Sequence, residues 1–128
     1  MKTEFEYQDG NDLIAIFLGG ELHGSYYKFP EGVCPPLNSI ARDNGAGTPR
    51  VMNFHTDWHW LMQPVLKIIN HKYADGDTAY LRTFGMKNET GNYMVRFNRC
   101  TLFEGHTLGE ALWDAVIDFI THTQAGGG

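Results

Sequence analysis

Cysteine is scarce in this chain. Cys34 and Cys100 are the only two in 128 residues, which excludes an all-cysteine zinc site and any dense disulfide framework. Long apolar runs are missing as well. The longest, "LIAIFL" at 13–18, is far too short to cross a bilayer, and the N-terminal "MKTEFEYQDG" lacks the apolar segment of a secretory leader. No membrane partner is expected, a cytoplasmic location is, and in that setting both thiols are expected reduced, at least one of them in the core. Basic charge is also short: 10 Lys and Arg stand against 15 Asp and Glu, a net charge of −5. Duplex binding draws its affinity from clustered cations that release counterions. Only Arg82, Arg96 and Arg99 are placed to converge, so nucleic acid is not an expected partner.

What is present is ample apolar and aromatic material, 42% and 13% of the chain, which excludes disorder. The length suits a single domain over 1–128 with its own core. Residues 1–10 read as a loose or edge-paired arm. Asn11 then stands as an N-cap, Asp12 suits a helix start and Gly19-Gly20 a stop, so "DLIAIFL" reads as one short helix, with a strand as its competitor. "SYYKF" reads as a short strand. Pro30, Pro35, Pro36 and Pro49, with several glycines, keep 30–50 out of regular structure and make it a long loop.

"VMNF" at 51–54 reads as a brief strand leading into "FHTDWHWLMQP". Thr56 is the expected cap and Asp57 the first-turn acid of a helix over 57–70. Trp58, Leu61, Met62, Val65, Ile68 and Ile69 then share its core face, with His59, Gln63, Lys67 and Asn70 opposite. Trp60 falls on the polar side, and Pro64 removes the amide that would meet the Trp60 carbonyl, so a bend is expected there.

"TAYLRTF" and "NYMVRFNRCTLF" carry the β-branched and aromatic residues of strands and form a hairpin over 78–103. Tyr93, Val95 and Phe97 alternate onto one face, but Cys100 and Leu102 do not continue the phase. A bulge or break is therefore expected near Asn98 and Arg99. Thr107-Leu108-Gly109-Glu110 fits a capping box and opens a helix over 108–121 whose core face is Leu108, Leu112, Ala115, Val116 and Phe119. A second apolar stripe, Trp113, Ile117 and Ile120, asks for cover from the helix over 57–70, from a second copy in a homodimer, or from another partner. Residues 124–128 read as a flexible tail.

These elements describe an α+β fold: a small antiparallel sheet, the hairpin 78–103 plus short strands, with helices 57–70 and 108–121 packed on one face. The segments "NDLIAIFLGG", "FHTDWHWLMQPVLKII", "RCTLF" and "ALWDAVIDFI", in that order, resemble small uncharacterised phage- and prophage-type proteins. Their pattern runs approximately LIAxFMG, YHxSWDWLMPVVxKI, a cysteine-bearing strand and VVEFI. The likeness covers about half the chain and is specific at the WxWLM segment. His59 replaces the usual Asp, Ile16 stands where Glu is common, Gln63 precedes the proline, and the 30–50 loop is longer. The resemblance implies a compact α+β domain from a mobile element and no particular activity.

Three functions compete. A non-enzymatic module binding a host or phage protein in the host cytoplasm would use Trp60, His59, Tyr26 and Tyr27, with Trp113, Ile117 and Ile120 as a second contact, and no cofactor. A metal-dependent hydrolase would use His55, Asp57 and His59, although the zincin helix needs its acid directly after the first histidine and here it is one place off. A small-ligand-sequestering protein would close the 30–50 loop as a lid. Weaker patterns are a Cys100, His106 and Asp114 nucleophile set, a phosphate-loop echo in "DNGAGTPR", and Asp9, Asp12, Asp75 and Asp77, which suit turns and caps better than an EF-hand.

Overall fold

A computed structural model describes residues 3–24, 26–30, 39–41 and 52–125. The fold is α+β: the described residues form three α-helices and two three-stranded antiparallel sheets. Backbone contacts group into two compact units, Met1–Pro64 and Val65–Gly128. Cys34, most of the 30–50 loop and the last three residues of the tail lie outside the described residues. None of the described helices is long and apolar enough to cross a membrane.

The N-terminal unit begins with α1 (Glu4–Phe17), not with an arm. Thr3 is its cap, the hydroxyl oxygen accepting from the Glu6 amide at 3.1 Å. Asn11 is therefore no cap; it lies mid-helix and buried. The stop at Gly19-Gly20 is present. Gly19, at φ 91°, donates to the Ile16 carbonyl and Gly20 to that of Ala15, the two bonds of a Schellman motif. Gly20 has a second constraint, since a Cβ there would come within 2.9 Å of both the Ala15 oxygen and the Phe29 ring.

β1 (Glu21–His23) and β2 (Tyr26–Lys28) form a tight hairpin, with Gly24 at φ 65° in the turn. β2 also pairs with β3 (Ser39–Ala41), so the 30–50 stretch does contribute a strand. Residues 52–54 are not one: the segment turns over Phe54, His55 and Thr56 and enters α2 (Trp58–Ile69). The cap of α2 is Asp57 rather than Thr56, its carboxylate accepting from the His59 amide at 2.8 Å. The helix continues through Pro64, and the boundary between the two units falls directly after that residue.

In the C-terminal unit β4 (Leu81–Lys87), β5 (Tyr93–Phe97) and β6 (Phe103–Gly105) form an antiparallel sheet in that order. α3 (Leu108–Ala125) packs across β5 and β6 and buries Val95 and Phe97 together with its own Leu112, Ala115, Val116 and Phe119. It runs past residue 121 into the stretch expected to be tail. Thr107 caps it at 3.1 Å from the Glu110 amide, while the Glu110 carboxylate reaches one residue beyond the capping box to the His106 amide at 3.1 Å.

The expected break lies between β5 and β6. β5 ends at Phe97, and Arg99 adopts φ 66°, a left-handed conformation uncommon for a residue with a side chain. Asn98 is buried at 4% exposure and anchors this corner. Its Oδ1 accepts from the Tyr80 amide at 2.8 Å, its Nδ2 donates to the Thr78 carbonyl at 3.1 Å, and its own carbonyl accepts from the Tyr73 hydroxyl at 3.0 Å. Arg99 then reaches the carboxylates of Asp75 at 2.6 Å and Asp77 at 3.1 Å and lies over the Tyr73 ring. Asn98→Ala removes the partner of a part-buried donor and of a part-buried acceptor at once. The expected loss is about 2–3 kcal/mol of stability, read by urea denaturation with the exposed Thr101→Ala as a neutral reference.

Candidate functional sites

The segment 54–64 folds so that its two leading tryptophans part company. Residues two apart on a helix point about 200° apart, and both flank the buried row Leu61, Val65 and Ile68. Trp60 turns inward on one flank and packs edge-on against the buried Phe54 ring, with centroids 5.3 Å apart. Trp58, expected in the core, is 46% exposed on the other flank. The tryptophan that the helix leaves outside is thus Trp58 and not Trp60. His59 beside it is exposed, and Met62, one turn on, is half-buried.

The three weak metal candidates do not converge. His55 lies before the helix, stacked on Tyr7 with ring centroids 4.2 Å apart. The buried Asn11 amide nitrogen sits 3.0 Å from His55 Nδ1 and 3.1 Å from the Met52 carbonyl. An amide nitrogen only donates, so Nδ1 accepts and the neutral ring carries its proton on Nε2. Asp57 is engaged in capping. Among the described residues no three His, Cys, Asp or Glu side chains are placed to share an ion.

The remaining residues of the expected surface divide. Tyr26 and His59 are exposed. Tyr27 is buried at 2% exposure, and its hydroxyl donates to Asp12 at 2.7 Å. Trp113 at 4% and Ile120 at 0% are covered within the chain, which leaves them almost no side-chain surface for a second copy or another partner, and Ile117 is half-buried. Asp9 and Asp12 belong to α1, whereas Asp75 and Asp77 do shape a turn, the Asp75 carboxylate accepting from the Asp77 amide at 3.0 Å. "DNGAGTPR" lies outside the described residues.

Cys100 is a half-buried free thiol at the β5–β6 corner. Burial pushes its pKa up, the Asp118 carboxylate pushes it further, and the Arg96 guanidinium opposes both. A thiol so placed is a poor nucleophile. No family model matches this chain, and no curated protein or solved structure matches it.

Two outcomes follow from these geometries. Burial lowers the His55 pKa, so the unfolded chain takes up that proton first. The stabilisation is complete above the ordinary histidine value of about 6.5 and is lost as pH falls below it toward the folded-state value. Denaturation midpoints measured from pH 7.5 to pH 5 should drop accordingly, and His55→Phe, which keeps a ring against Tyr7 but cannot titrate, should flatten that drop. In a Cys34→Ser background, Cys100 should react with iodoacetamide several-fold more slowly in the folded chain than in urea.

Proposed function

We propose that this chain is a non-enzymatic binding module of phage or prophage type that acts in the host cytoplasm and holds a host or phage protein through the first turns of α2. The observation that carries this reading is the exposure of Trp58. A large apolar ring left in water forfeits the free energy its burial would yield, and tryptophan is the residue most often found where a partner supplies that burial. Its mounting favours the same use. The Asp57 cap and the buried Leu61, Val65 and Ile68 fix the helix, so little backbone freedom is lost when the ring docks. Met62 extends the apolar row, and the exposed His59 supplies a polar margin.

The phage setting rests on the likeness of "FHTDWHWLMQP" to the WxWLM segment of those proteins, and the tryptophan that opens that segment is the exposed one. The hydrolase reading gains nothing from His55 and Asp57, both of which are engaged in holding the fold.

Quantitative crosslinking in cells infected by a phage encoding the protein tests the proposal, with the wild-type chain, Trp58→Ala and Trp60→Ala compared. A partner taken up by the wild type should bind Trp58→Ala at least about thirtyfold more weakly, the loss of a hot spot of roughly 2 kcal/mol. Trp60→Ala should cost folding stability through its contact with Phe54 instead. Undiminished binding by a folded Trp58→Ala chain would overturn the assignment.

A further inference from the structure

Strand β1 is one margin of its sheet, and among the described residues no strand pairs with its outer edge. The hairpin closes on the pair His23–Tyr26, so the backbone groups of Glu21 and His23 turn inward to β2 and those of Leu22 turn outward. The Leu22 amide and carbonyl therefore have no ladder partner among the described residues. Its side chain shares a face with Tyr27 directly across the pair, yet Tyr27 is 2% exposed and Leu22 is 52% exposed. The covered face of the sheet ends one strand short of its margin. On the opposite face Glu21 and His23 stand in water, with His23 Nε2 3.6 Å from Glu21 Oε2. Gly20 and Gly24 flank the strand and put no side chain beside it.

An unpaired strand edge is a template for another strand unless proline, a bulge, lysine or a covering element blocks it. β1 has no proline, no lysine and no bulge. We propose that β1 is a self-association edge, on which a second copy of this chain pairs antiparallel about a twofold axis at Leu22. In that register the two Leu22 residues exchange both backbone bonds, and their side chains meet on the face that continues from Tyr27. Glu21 falls opposite His23 of the second copy, and His23 opposite its Glu21. These are the closely spaced, non-hydrogen-bonded positions of the ladder, where side chains act on each other most directly. Sliding one copy by two residues sets Glu21 against Glu21 in one direction and His23 against His23 in the other, so only the central register pairs unlike groups. The edge is complementary to itself. Three residues bury little surface, so the association is weak and concentration-dependent. It uses no residue of α2.

Sedimentation velocity of the full chain from about 10 μM to about 1 mM tests this, and the wild type should pass from monomer to dimer across that range. Leu22→Pro removes an outward amide that the hairpin does not use, a place where an edge strand tolerates proline, and should weaken the dimer by about tenfold or more. His23→Glu sets acid against acid across the axis, and Glu21→His sets imidazole against imidazole. Each alone should stay monomeric where the wild type pairs, and the two mixed in equal amounts should form a one-to-one heterodimer. Both changes lie at exposed positions, so this outcome does not depend on how Leu22→Pro folds. Trp58→Ala should dimerise as the wild type does. The proposal fails if the wild type is monomeric to about 1 mM, if its dimer survives Leu22→Pro in a folded chain, or if the mixed variants form no heterodimer. Loss of the dimer in a folded Trp58→Ala chain would equally defeat it, by moving the contact to α2.

Discussion

Backbone donors and acceptors carried into a folded interior have to be met, and in both units of this chain an asparagine side chain meets those that regular structure leaves over. In the C-terminal unit Asn98 takes the Tyr80 amide and the Thr78 carbonyl just where the β4–β5 ladder has ended. Together with the bond from the Asn98 backbone amide to the Tyr80 carbonyl, that side chain holds the segment entering β4 against the end of β5. In the N-terminal unit Asn11 joins the Met52 carbonyl to the His55 ring, so a helix and a turn far away in sequence are tied by one side chain. Each amide supplies both a position and a direction, which apolar packing alone does not.

The surface that α2 shows to solvent follows from that second tie. With Met52 and His55 fixed on α1, the chain can enter the helix only through the turn over 54–56. Phe54 is buried there, and its ring gives Trp60 an edge to pack against. Asp57 then closes the first turn. Trp58 is left facing outward, and the same geometry that places His55 against Tyr7 and Asn11 presents the exposed ring.

The C-terminal unit was largely legible. Period-two alternation marks Tyr93, Val95 and Phe97, loss of phase marks the break after Phe97, and Thr107 with Glu110 marks the start of α3. These are local signals, and local signals survive folding. The N-terminal unit was harder to read because its buried helix row includes Gln8, Gly10 and Asn11, which on polarity belong outside. A clue was present in Thr3 and Glu6, spaced as a cap and its third helical residue. The two tryptophans were misassigned for a different reason. Periodicity places Trp58 and Trp60 on opposite flanks of one buried row, and which flank is covered depends on Phe54, a tertiary contact.

β4 slips twice against β5, between Leu81 and Thr83 and between Phe84 and Met86. At the second slip Gly85 takes φ 89°, with open space where a Cβ would stand, so its conformation rather than its surroundings calls for glycine. Strand β4 is the longer margin of its sheet. A foreign strand of even pitch laid along it would fall out of step at two places within seven residues, and its amides would pass the carbonyls they need. The margin is thereby poorly suited to templating growth of the sheet.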